Sequence, residues 1–202
     1  MSKKSETTRE IILKTATDLF LKKGVDRVGV REIAAKANIN LSLMNYYFKS
    51  KEKLLEIIFD NQIGSKAAEL KKILESNTPL DVKIQKYSSA YTEILLDNPL
   101  LVSFVLSIIH RNSDNLKSLQ SVVNLYNSEK FCNQLNAEVE AGRIRNVNPE
   151  QFYVSMISLI IFPFAIKELI VDRNKFKKKE YKQFIEDRKK LVADMLVQYL
   201  KP

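Results

Sequence analysis

Apolar positions recur along this chain at three- and four-residue intervals almost without interruption, the period of amphipathic helices rather than strands. Ile12, Ala16, Leu19 and Phe20 make the first stripe. Thr7 and Glu10 have capping-box spacing at its start and Gly24 closes it, which predicts a helix over 7–23. Val30, Ile33, Ala34 and Ala37 fall at i, i+3, i+4 and i+7 and predict a short second helix over 30–37. Asn38 tolerates the left-handed conformation that ends a helix, and Ile39 plugs the turn. A third helix is predicted over 41–48, capped by Asn40 or Ser42, with Met44 and Phe48 inward. Ser50 then caps a longer helix that starts at Lys51 and carries Leu55, Ile58, Ile63, Leu70 and Leu74 on one stripe.

The second part of the chain continues in the same period. The break SNTPLD at 76–81 precedes a helix over about 80–97 with Ile84, Tyr87, Tyr91, Ile94 and Leu95 inward. Asp97-Asn98-Pro99 breaks again, and an apolar helix follows from Leu100 to His110. After the polar turn Asn112-Ser113-Asp114-Asn115, one long amphipathic helix runs to about Ala141 and ends at Gly142. The last two helices are predicted over 149–172 and about 180–200. Tyr181, Phe184, Ile185, Arg188, Leu191, Val192, Met195, Leu196 and Tyr199 trace one face of the last, and nearly every residue from Phe152 to Ile166 is apolar in the one before. Core packing accounts for one face of such helices, and a partner helix for the other. With 4 Gly and 5 Pro, the chain lacks the turn punctuation of a β protein, so the fold class is all-α.

The stretch VREIAAKANINLSLMNYYFKSKEK, residues 30–53, has the order helix, tight turn, helix, then a lysine-flanked helix start. That is the order of a helix-turn-helix, whose second helix enters the major groove of double-stranded DNA. With Met44 and Phe48 inward, Leu41, Ser42, Leu43, Asn45, Tyr46 and Tyr47 face outward or lie at the margin. An amide can pair with adenine, an apolar group can pack on a thymine methyl, and a tyrosine hydroxyl can hold a phosphate. Lys51 at a helix N-terminus also suits a phosphate oxygen. The bland alternative is a generic three-helix packing unit with a partly exposed aromatic helix.

Charge supports the first reading. Of a net +9, residues 1–53 hold 12 Lys/Arg against 6 Asp/Glu, so most of the excess lies on the candidate reader. Other chemistry is thin. The single cysteine, Cys132, allows no intrachain disulfide and reads as a small buried apolar residue. His110 is the single histidine and reads as a packing residue. No Cys/His set has zinc spacing and no Gly-rich phosphate loop occurs. Glu138 and Glu140 lie two apart and point to different helix faces. No enzyme, catalytic residue, metal or cofactor is therefore expected. The polar start MSKKSETTREI has no leader-like apolar region, and the apolar run from Val154 to Ile166 is short and holds Pro163, so a cytoplasmic protein without a membrane segment is expected. The basic stretch RNKFKKK, residues 173–179, reads as a solvated loop.

These motifs carry a resemblance. IILKTATDLFLKKGVDRVGVREIA and NYYFKSKEKLLEIIFD, with the segment between them, resemble the DNA-binding domain of the TetR family of bacterial transcriptional regulators over residues 8–60. Beyond that the resemblance is one of helix order, with AEVEAGRIRNVNPEQF similar to the Gly-x-Ile hinge and Pro-started helix of the family's regulatory domains. It implies a helix-turn-helix domain over 1–53, joined by a long helix to a helical effector-binding and dimerisation domain over 54–202. By position it implies Leu41, Ser42, Leu43, Asn45 and Tyr46 at the groove, with Arg31, Tyr47 and Lys51 at phosphates. Gly29 stands where the family usually has a hydroxyl that holds a phosphate, Asn38 where Gly is usual, and Asn45 where Tyr is common.

The resemblance further implies a homodimer on a roughly palindromic operator, a repressor released by a small apolar or amphipathic effector. Tyr87, Tyr91, Phe104, His110, Tyr126, Met156 and Phe162 are the effector-pocket candidates. Phe152, Leu159, Ile160, Phe184, Leu191, Met195 and Tyr199 are the dimer-interface candidates. Two other classes compete: a helical sensor or interaction protein whose reader is non-functional or non-specific, and a helical enzyme that depends on His110.

Overall fold

The computed structural model describes residues 3–98, 101–111, 126 and 128–202, and every element among them is a helix. The helices are α1 (Lys3–Lys23), α2 (Val30–Lys36), α3 (Leu41–Phe48), α4 (Lys51–Glu75), α5 (Leu80–Asp97), α6 (Leu101–Arg111), α7 (Glu129–Glu140), α8 (Pro149–Ala165), α9 (Lys167–Asn174) and α10 (Lys178–Leu200). They fall into two compact units. One comprises Met1–Ser65 with Ser103–Val123, and the other Lys66–Val102 with Asn124–Pro202.

In the first unit the predicted inward residues are the core. Ile12, Ala16, Leu19 and Phe20 of α1 are buried together with Val25, Val28, Ile33, Ala34, Ala37, Met44, Phe48 and, from α4, Leu54, Leu55 and Ile58. Helix ends follow the local chemistry. Gly24 takes φ +84°, and its N–H reaches the Phe20 carbonyl. Asn38 takes φ 54° after α2, with its N–H on Ala35 O and that of Ile39 on Ala34 O, a Schellman closure. Of the two candidate caps for α3, Asn40 serves: its Oδ1 accepts from the Leu43 N–H at 2.7 Å. Ser50 Oγ caps α4 by accepting from the Lys53 N–H at 3.1 Å. One boundary differs from expectation. Helix α1 is already formed at Lys3, so Thr7 lies inside it rather than at its cap.

In the second unit α5, α8 and α10 pack on one another, α7 packs on α8, and α9 touches α8. The core comes from Ile84, Tyr87, Tyr91 and Leu95, from Phe131 and Leu135, from Tyr153, Met156 and Ile160, and from Ile185, Val192 and Leu196. Two predicted helices are shorter than expected. The long helix before Gly142 does not run unbroken to its predicted start: Tyr126 is a turn residue, Ser128 is non-helical, and α7 begins at Glu129. Residues 112–125, on which the rest of that expectation falls, lie outside the described residues.

The helix expected over 149–172 is two, α8 and α9, bent by 61°. Pro163 lies in the last turn of α8, before the break at Ile166. It has no N–H for the Leu159 carbonyl four residues back. Arg188 of α10 replaces that donor, with Nε and Nη2 reaching Leu159 O at 3.3 and 3.2 Å. Two turns earlier on α10, the Tyr181 hydroxyl donates to the Pro163 carbonyl at 3.1 Å. No single helix among the described residues is long and apolar enough to cross a membrane.

Candidate nucleic-acid interface

Helix α3 has two faces with opposite fates. Met44 and Phe48 are buried, and the guanidinium of Arg9 lies 5.6 Å from the Phe48 ring centroid. Ser42, Asn45 and Tyr46 are exposed, Tyr46 to 77 %, while Leu41, Leu43 and Tyr47 are half-buried at the margin. Tyr46 is not loose: its ring meets that of Tyr47 edge-on at 5.3 Å. The outward row Leu41, Ser42, Leu43, Asn45 and Tyr46 thus sits on a helix whose other side is fixed in a core. Such backing holds side chains at a constant setting for a groove.

The flanking residues divide. Arg31 is exposed on α2. Lys51 is half-buried and already engaged: its Nζ donates to the Val25 carbonyl at 2.7 Å and lies 5.8 Å from the Phe20 ring centroid. Burial lowers its pKa from the ordinary lysine value, and Glu52 opposes the shift. Lys51 therefore ties the start of α4 to the loop after α1, a structural role that sequence alone did not suggest. Gly29 precedes α2 in an extended conformation (φ −92°, ψ 157°) and caps with its backbone alone, its carbonyl accepting from Glu32 and Ile33.

The effector candidates do not form one cluster. Tyr87, Tyr91 and Met156 are buried together in the second unit, the two tyrosine rings 5.7 Å apart and edge-on. Tyr153, which lay hidden in an apolar run, joins them. It is buried, and its phenol acts electrostatically on Tyr87. Burial raises the pKa of Tyr87, Tyr91 and Tyr153 well above the ordinary phenol range, so all three are neutral. Tyr126 is half exposed and lines a surface groove with Ser128, Cys132, Asn148 and Glu150. Phe162, 59 % exposed, and His110, exposed on α6, are not in the core, and the Phe104 side chain lies outside the described residues.

Of the interface candidates, Phe152 and Ile160 are buried within the chain, Leu159 and Phe184 are half-buried, and Leu191, Met195 and Tyr199 are exposed. Val154 and Phe162 are exposed apolar residues of α8 that the pattern did not single out. A groove of about 380 Å³ lies between α8 and α10, lined by Phe152, Ser155, Leu159, Met195 and Tyr199 among others.

Comparison with known proteins agrees with this geometry. A profile of "Bacterial regulatory proteins, tetR family" matches residues 12–58, the span from α1 into α4. The HTH-type transcriptional repressor Rv3405c of Mycobacterium tuberculosis is 31% identical over 95 residues, 46% of this chain and 48% of that protein. The chain thus spans about half the length of the curated relatives it matches. Among solved structures, the hemolysin II transcriptional regulator HlyIIR superposes with a TM-score of 0.65 at 21% identity, covering 98% of this chain and 99% of that one. The ketosteroid transcriptional regulator KstR2 of Mycobacterium tuberculosis does so at 0.68 and 16% identity, covering 96% and 95%. At such identities these two establish the fold alone. Residues 12–58 thus match the helix-turn-helix of bacterial regulatory proteins of the tetR family, and the helical fold is shared along the length of the chain with the two solved regulators.

Proposed function

We propose that the protein is a homodimeric, sequence-specific DNA-binding transcriptional regulator, a repressor released from its operator by a small apolar or amphipathic effector. The observation that carries this reading is the division of α3: Met44 and Phe48 are locked inside while Asn45 and a 77 % exposed Tyr46 stand outside. A free aromatic and a free amide side by side on a rigidly backed helix suit base edges. In this reading Ser42, Leu43, Asn45 and Tyr46, with Leu41 at the margin, read bases, and Arg31, Tyr47 and Lys51 hold phosphates. Lys51 keeps Val25 as one acceptor and offers its remaining N–H bonds outward.

The second half, residues 54–202, serves assembly and response. Exposed Phe162, Leu191, Met195 and Tyr199 on α8 and α10 support a self-complementary face between two copies. Two readers then meet successive major grooves of a roughly palindromic site, with half-sites about 34–36 Å apart. The paired, neutral phenols of Tyr87 and Tyr91 in the interior of this unit support effector binding, and an effector that prefers the released state shifts the equilibrium toward it.

Selection of duplexes from a random-sequence pool tests the reading. The protein enriches a palindromic sequence. Asn45→Ala relaxes preference at one base pair by about 1–3 kcal/mol, and Lys51→Ala weakens all sequences alike and lowers the salt slope by about one. Enrichment of no sequence points instead to a sensor without an operator, and an unchanged slope removes Lys51 from the phosphate contacts.

A further inference from the structure

Lys83 is the one charged side chain buried among the described residues, with 1% of its surface exposed. It lies on the inward stripe of α5 between Leu80 and Tyr87, where a methionine would fill similar space without burying a charge. Its Nζ donates to the Leu74 carbonyl at 2.9 Å and to Gln134 Oε1 of α7. Gln134 in turn donates through Nε2 to the Thr78 carbonyl at 3.0 Å. The amine therefore joins the end of α4 to α7, and Gln134 carries the network on to the turn after α4.

The acceptors explain why an amine is tolerated there. Leu74 is in the last turn of α4, where carbonyls have no helical donor and the negative pole of the helix lies. No carboxylate pairs with Lys83 among the described residues. Burial lowers its pKa from the ordinary lysine value, and Lys130 adds to the shift. At the opposite end of the same helix, the Lys51 amine holds the Val25 carbonyl. Helix α4 is thus tied at each end by a lysine that donates to a main-chain oxygen.

We propose that Lys83 is a positioning residue for DNA binding: by fixing the last turn of α4 it narrows the settings available to the reader held at the other end of that helix. The inference rests on the regulator reading above. A protein that occupies the binding-competent setting only part of the time shows affinity reduced by that fraction. Loosening the clamp therefore weakens DNA binding without removing any DNA contact.

The test titrates the full chain by fluorescence anisotropy against the duplex it selects from a random pool, over a range of salt, alongside amide hydrogen exchange. Lys83→Met is expected to lower affinity about fivefold at every salt concentration, with the salt slope of the parent, because no phosphate contact is lost. Amides of residues 73–78 exchange about tenfold faster, while those of α2 and α3 keep the parent rate. Gln134→Met removes both the second acceptor of the amine and the donor to the Thr78 carbonyl, and is expected to speed exchange at 73–78 and lower affinity in the same way. Parent affinity in Lys83→Met despite lost protection overturns the proposal, since the clamp is then purely structural. So does a changed slope, or a Gln134→Met variant that exchanges faster at 73–78 but binds as the parent does. A parent that selects no duplex refutes the regulator reading itself, whereas a parent that binds and a Lys83→Met variant that binds equally refute only the clamp.

Discussion

The helix-turn-helix and the helical unit that follows it place their polar groups in opposite ways. In α3 the amide of Asn45, the hydroxyl of Ser42 and the ring of Tyr46 face outward, over a core built from Met44, Phe48 and their apolar neighbours. In the second unit, polar groups go inward and serve the chain itself. Arg188 and Tyr181 satisfy carbonyls at the Pro163 break, Lys83 clamps the end of α4, and the phenols of Tyr87, Tyr91 and Tyr153 lie in the core. The difference separates a surface whose polar groups stay exposed from an interior whose polar groups fix its own shape.

The largest effect that sharpens this contrast comes from two neighbouring positions in α3. Phe48→Ala removes a buried ring and is expected to destabilise the reader by about 3–5 kcal/mol in denaturant titration. Tyr46→Ala is expected to leave stability within about 0.5 kcal/mol while DNA binding is lost. A Tyr46→Ala variant that unfolds early would erase the distinction between the two faces.

Alkaline pH tests the interior next. The phenols of Tyr87, Tyr91 and Tyr153 have pKa values raised by burial, and that of Tyr181 is pushed up to about 12 by burial, with Glu168 adding to it. Below pH 10 both states hold these protons and stability does not depend on them. Above that, the unfolded chain releases protons that the folded chain keeps, so stability falls with rising pH. The fall is about 1.4 kcal/mol per pH unit for each phenol, until its folded pKa is reached. Urea midpoints between pH 9 and pH 11.5 measure it, and substitution of Phe for Tyr87 is expected to make the fall shallower.

A smaller effect tests the break in α8. Arg188→Met leaves the Leu159 carbonyl without its donor and is expected to cost about 1–3 kcal/mol. In a Pro163→Ala background the restored N–H can serve that carbonyl, and the cost of Arg188→Met shrinks. A double-mutant cycle without coupling would show that the guanidinium does not replace the missing donor.

The smallest effect is at Gly29. Its φ is ordinary for any residue, and a Cβ placed there meets nothing within 4 Å. Gly29→Thr is expected to stabilise α2 by a few tenths of a kcal/mol through its hydroxyl cap. It also adds a hydroxyl donor at the reader, and the same anisotropy titration checks for tighter DNA binding.

The reader was legible in the sequence because its determinants are local. The stripe Ile33, Ala34 and Ala37, the left-handed Asn38 and the Asn40 cap lie within a few residues of one another and agree. The second unit was less legible because its deciding contacts cross long separations. Pro163 was visible, but whether it bends or ends a helix depends on Arg188 and Tyr181, which come from another helix. Lys83 lies among Leu80, Ile84 and Tyr87 on an inward stripe, so its register carried the signal. Lysine is so often solvated that the stripe was read around it. The half-burial of Lys51 was hidden for the same reason, since its acceptor is the Val25 carbonyl rather than a side chain.

Cys132 turns the described architecture into its own gauge. Its thiol is buried, donates to Glu150 Oε1 at 3.6 Å, and has a pKa raised by burial, so at neutral pH it is both shielded and protonated. A maleimide dye will consequently mark any cysteine introduced on the surface long before it reaches the native one. The rate at which the native thiol finally reacts reports opening around the groove that Cys132 lines.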